Sequence, residues 1–129
     1  MSDEATIIQA AKDHFEAMPD RPETVWANRD EKAATPRVEF QEGPIAQRPM
    51  GLDGASDARF LMQVTVVVEA DTSTTEADQL AQSVISHFKV GTRISTAQVD
   101  KRPERGAPIP DDGEWRIPIT IRLRVVLTS

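Results

Sequence analysis

Between Ala58 and Ala70 apolar and polar positions alternate, with Phe60, Met62, Val64, Val66 and Val68 on one side and Arg59, Leu61, Gln63, Thr65, Val67 and Glu69 on the other. That period of two predicts a strand with one buried face. Past Asp71 the period changes. Ala77, Leu80, Ala81, Val84, Ile85 and Phe88 recur along one helical stripe. Ser73 and Glu76 are spaced for a reciprocal cap at its start, and Gly91 suits a left-handed cap at its end. The alternation is purest from Trp115 to Leu127, where Trp115, Ile117, Ile119, Ile121, Leu123, Val125 and Leu127 share one face. Burying each such side chain is worth about 1.5–3 kcal/mol, so this strand matters to stability as much as the first.

The remaining segments read more weakly. Asp3 to Met18 predicts a helix, capped by Asp3 and ended by Pro19 and Pro22, with Ile7, Ile8, Ala11, Phe15 and Met18 at helical spacing. Thr24 to Asn28 is a short β-like segment, Asn28 to Pro36 a polar connection, and Arg37 to Gln41 a strand with Val38 and Phe40 inward. Residues 43–57 carry three glycines and two prolines among Ile45, Met50 and Leu52, the pattern of a long hairpin arm or a loop. Ile94 to Lys101 alternates imperfectly and is read as a strand, and Arg102 to Gly113 as a Pro/Gly-rich connection. The expected fold is α+β, in the order α-β-β-β-α-β-β, with both helices on one face of a mostly antiparallel sheet. Residues 1–129 are expected to form one domain with the arm at 43–57.

A 13-residue strand spans about 43 Å, whereas a domain of this size is about 36 Å across. The last strand therefore either bends at Pro118, a residue suited to an edge or bulge, or projects and pairs elsewhere. The strand at Ala58 to Glu69 meets the same constraint. Both lengths suggest a subunit of an assembly.

Charge and composition narrow the function. Fifteen basic against twenty-one acidic residues give a net charge of −6, against the broad basic footprint of a nucleic-acid binder. There is no cysteine, hence no disulfide framework or thiolate metal site. The chain opens Met1-Ser2-Asp3-Glu4 and contains no apolar run of membrane-spanning length, so a soluble protein is expected.

No catalytic constellation emerges. His14 and His87 stand on separate predicted helices without a second ligand at metal spacing, and partly buried or surface histidines are the simpler reading. Asp71 and Asp111-Asp112 fall in cap and turn sequences, where aspartate is favoured for local hydrogen bonds. Gly51 and Gly54 alone make no phosphate loop, and no serine sits in a nucleophile elbow. Arg116, Arg122 and Arg124 share one face of the last strand, either as an ordinary polar outer face or as a binding stripe.

The run His87-Phe88-Lys89-Val90-Gly91-Thr92-Arg93, the charged Pro-rich link and Asp111-Asp112-Gly113-Glu114-Trp115-Arg116-Ile117-Pro118-Ile119-Thr120-Ile121 together resemble the tail terminator proteins of long-tailed bacteriophages and related phage-like particles. Pro36-Arg37-Val38-Glu39-Phe40 and Phe60 to Glu69 follow the same order. The resemblance implies a structural virion protein that forms a ring, ends tail-tube polymerisation and joins the tail to the head connector. Implied partners are copies of itself in a homohexamer, the tail tube protein and the head–tail connector protein. DNA would pass through the ring without specific binding. No enzyme activity, cofactor, metal or membrane is implied. The implied location is the virion neck or top of the tail, after assembly in the bacterial host cytoplasm. Gln47, Arg48, Met50 and Leu52 in the arm are the candidate contacts to the tube or a neighbouring subunit, with Arg122 and Arg124 as further inter-subunit or channel-side candidates.

Three alternatives remain open from the residues. The chain could be another neck or tail-completion component, a small-ligand-binding α+β domain with a pocket between helices and sheet, or an adaptor that adds the strand at Trp115 to Leu127 to a partner's sheet.

Overall fold

The computed structural model describes residues 4–18, 23–26, 37–49, 56–69, 74–111 and 113–127. The two alternating runs become its central pair of strands, β3 (Ser56–Glu69) and β8 (Glu114–Leu127), each of 14 residues. They are antiparallel and in register from Ser56↔Leu127 to Glu69↔Glu114. Their inward rows, Phe60 to Val68 and Ile117 to Val125, are buried throughout. Strand β2 (Arg37–Pro49) pairs along the other edge of β3, from Arg37↔Val67 to Pro49↔Ser56, and carries β1 (Glu23–Trp26) parallel to it at the edge. Beyond β8 lie β5 (Ala97–Val99) and β4 (Arg93–Ile94), giving the order β1-β2-β3-β8-β5-β4. Short strands β6 (Glu104–Arg105) and β7 (Ile109–Asp111) also pair with β8.

Helices α1 (Glu4–Glu16) and α2 (Thr74–His87) cover one face of this mostly antiparallel sheet. Ile7, Ala11 and Phe15 from α1, Ala77, Ala81, Val84 and Ile85 from α2, and Met18 and Phe88 just past the two helix ends join the inward strand residues in one buried cluster. The fold is α+β.

Several expectations change in detail. The strand expected at Ile94 to Lys101 is a tight hairpin, β4 and β5, closed by Ser95 and Thr96, with Ser95 at φ 59°. The expected connection at Arg102 to Gly113 contains β6 and β7. Gly91 does not cap α2, whose last backbone bond here runs from the Phe88 amide to the Val84 carbonyl. Its φ of 91° instead serves a turn closed by the Thr92 amide on the Lys89 carbonyl. The caps expected at Asp3 and Ser73, and the connection expected at 28–36, lie outside the described residues.

Pro118 marks neither an edge nor the end of pairing, because β8 has neighbours on both sides. The Pro118 carbonyl accepts from the Gly106 amide at 2.8 Å. A strand residue directs its nitrogen and carbonyl to the same edge, so the missing N–H faces the break between β6 and β7. Gly106 permits that approach, since a Cβ there would lie 2.9 Å from Pro118 Cγ. The length of β8 is likewise absorbed within the chain, its far end pairing with the start of β3.

Candidate assembly surfaces

The arm expected at 43–57 is built by continuation of β2 and β3. The register slips between Glu42↔Met62 and Ile45↔Phe60, so Gly43 and Pro44 together oppose Leu61. This is a β-bulge, which bends the strand and raises its twist. Gly43 is required there, because a Cβ would meet the Leu61 carbonyl oxygen at 2.7 Å. After the bulge Ile45 returns to the helix-covered side and packs against the core. Gln47 and Arg48 follow in the paired end of β2, opposite Ala58 and Asp57. Met50 and Leu52 lie outside the described residues.

Among the described residues, the opposite face of the sheet bears no helix and carries two ionic clusters. In the first, Arg37 donates to both Glu114 oxygens at 2.7 and 2.9 Å and to Glu39 at 3.0 Å. Arg116 also bridges Glu39 and Glu114, closing a four-membered ring of alternating charge. Strand register explains the ring, since Arg37, Val67 and Arg116 lie in one cross-strand row. Val67, expected on the outer face, is fully buried between them, and Arg37 is only 4% exposed. The Glu114 hydrogen bonds push the Arg37 guanidinium above its ordinary pKa, burial opposes this, and Glu39 adds to the rise.

The second cluster contains Arg122 and Arg124. Arg124 Nε donates to Asp57 at 2.9 Å, a bond that raises the Arg124 pKa. Arg122 Nη1 lies 3.0 Å from Glu104 Oε1 as a charge contact outside hydrogen-bond alignment. Arg59 reaches Asp57 and Asp100 at 3.7 and 3.5 Å. A cleft of about 250 Å³ opens here, lined in part by Leu61, Arg59, Lys101 and Arg122. The structure thus brings Arg122 and Arg124 onto one surface, each already engaged within the chain.

Sequence reasoning missed the joint between the helices. The His14 ring stacks on the His87 ring with centroids 4.1 Å apart. His14 Nε2 donates to the His87 carbonyl at 2.8 Å, and His87 Nε2 to the His14 carbonyl at 2.5 Å. A carbonyl can only accept, which fixes the proton on both Nε2 atoms. Burial pushes the His87 pKa below its ordinary value, the bond to the His14 carbonyl opposes this, and the His14 charge adds to the lowering.

The helix–sheet interface leaves little room for a ligand where α1 meets β2 and β3. The void among Ile7, Ala11, Ile45, Phe60 and Met62 is about 10 Å³, against the hundreds of Å³ that ligand sites occupy. Among the described residues, no group of three His, Cys, Asp or Glu side chains is placed to hold a metal. No described helix is long and apolar enough to cross a membrane.

These features define a helix-backed α+β fold with structured surfaces. Eighteen solved chains match it. One of them, 18% identical, superposes with a TM-score of 0.68 over 100% of this chain and 99% of its own, which establishes a shared fold. No curated protein matches. A family model described as "Phage tail terminator protein" matches residues 6–123, and the chain belongs to that family. It is therefore a structural protein of the phage tail and a virion component.

Proposed function

We propose that this protein closes into a ring on the head-proximal end of the tail tube, stops tube polymerisation and presents a joining surface to the head connector. Family membership over residues 6–123 is the observation that carries this reading. The ring is proposed as a homohexamer located in the virion neck, assembled in the cytoplasm of the bacterial host, with DNA passing through it unbound. The protein acts as scaffold and not as enzyme.

The bulged β2–β3 hairpin supports a role for the arm, since a bend fixed by Gly43 and Pro44 directs its far end away from the bulge. Gln47, Arg48, Met50 and Leu52 are its proposed contacts to the tube or a neighbour. Arg122 and Arg124, held by Glu104 and Asp57, are proposed to exchange or share those carboxylates across a subunit boundary.

Sedimentation of the purified protein over a concentration series, with and without short tail tubes, tests the ring. Hexamers, or monomers that assemble only on tubes, are expected. A monomer indifferent to tubes at every concentration contradicts the proposal.

A further inference from the structure

Every cation with a described side chain outside residues 89–102 is ion-paired within the chain: Lys12, Arg37, Arg59, Arg105, Arg116, Arg122 and Arg124. Inside that stretch Lys89, Arg93, Lys101 and Arg102 are exposed and have no ion-pair partner among the described residues. Arg93 opens β4, the last strand of the described sheet order, while Lys89, Lys101 and Arg102 flank the β4–β5 hairpin. Val90, 54% exposed, lies in the adjoining turn. The basic tract therefore coincides with the end of the described strand order and an exposed apolar side chain.

Such an edge fits a protein better than a nucleic acid. Val90 offers apolar contact of no value to a phosphate backbone, and it stands beside Lys89 at the same turn. The cations select for an acidic partner. This chain, at net −6, is itself acidic. Asp13, Glu16 and Glu76, all on the helices, form no ion pair among the described residues, and all three lie outside the core.

We infer that the β4–β5 edge, through Lys89, Arg93, Lys101 and Arg102, docks a second copy of this chain by its acidic helix layer. The two surfaces are different, so the contact is heterologous and can propagate around a ring. This inference rests on the ring proposed above and assigns one side of its subunit boundary.

Two variants test it: Lys89→Glu/Arg93→Glu/Arg102→Glu, and Asp13→Lys/Glu16→Lys. All five positions are solvent-facing, and thermal melts of both variants verify folding. Sedimentation at about 50 and 500 mM salt reads association, which depends on salt when exposed charges carry it. Each variant alone is expected to associate about tenfold more weakly than the parent, and an equimolar mixture is expected to recover association. Unchanged association of the folded variants overturns the inference while leaving the ring intact. A parent that never associates, even on tubes, overturns the ring itself. Binding of a duplex oligonucleotide that the triple variant loses, with self-association unaltered, also overturns the inference and makes the edge a polyanion site. A closed dimer disrupted by both variants upholds the contact and contradicts the ring.

Discussion

His14 and His87 each donate a ring N–H to the other's backbone carbonyl, so the last turns of α1 and α2 are fastened to one another across 73 residues of sequence. The folded state favours neutral His87, because burial lowers its pKa from the ordinary value of 6.5. The unfolded chain then binds more protons, and stability rises with pH. The contribution is fully present above about pH 6.5 and is lost as pH falls from there through the folded pKa. Melting temperature should decline between pH 7.5 and 5, and His87→Gln, which keeps an N–H donor but does not titrate, should flatten that decline. An equal slope in both proteins contradicts the assignment.

The closed ring of Arg37, Glu39, Arg116 and Glu114 predicts strong coupling. Arg37→Met leaves two carboxylates facing one another with one guanidinium between them. It should cost about 2–3 kcal/mol in urea unfolding, below the cost for fully buried pairs because both glutamates keep some exposure. Adding Glu114→Gln should recover part of that loss. Additive costs in the double mutant would show that the two residues act independently.

Gly43→Ala should destabilise by about 1–3 kcal/mol, since its Cβ would press on the Leu61 carbonyl and the bulge has no slack there. Gly113→Ala isolates the effect of conformation, because its φ is 79° but nothing lies within 4 Å. It should cost about 1 kcal/mol from backbone strain alone. Equal costs at the two sites would mean that crowding at the bulge is unimportant.

The long strands and both helices were legible because each buries one face and leaves the other polar, which writes a period into the sequence. Short strands β4 to β7 carry two or three residues each, too few to show a period. Gly91 suggested a helix cap because a positive φ serves caps and turns alike. The histidine joint and the charge ring were hidden for another reason. His14 meets His87, and Arg37 meets Glu114, only once helix packing and strand register bring distant segments together. Val67 sat in the polar row of β3, and its burial depends on flanking arginines that no local pattern indicates. Arg122 and Arg124 were legible as one surface but not as residues already paired with Glu104 and Asp57.

The arm contacts predict a separation of folding from assembly. If these side chains serve assembly, Met50→Ser/Leu52→Ser should leave the unfolding free energy in urea within about 0.5 kcal/mol of the parent. Tail assembly in a complementation assay should nonetheless fall sharply. Normal tails from this variant would remove the arm from the proposed contact surface.

The most direct measurement is tube length. Tail tube protein polymerised with increasing amounts of this chain should give progressively shorter tubes, each bearing a ring at one end in electron micrographs. Tubes of unchanged length with bare ends, at any ratio of the two proteins, would contradict the role as terminator.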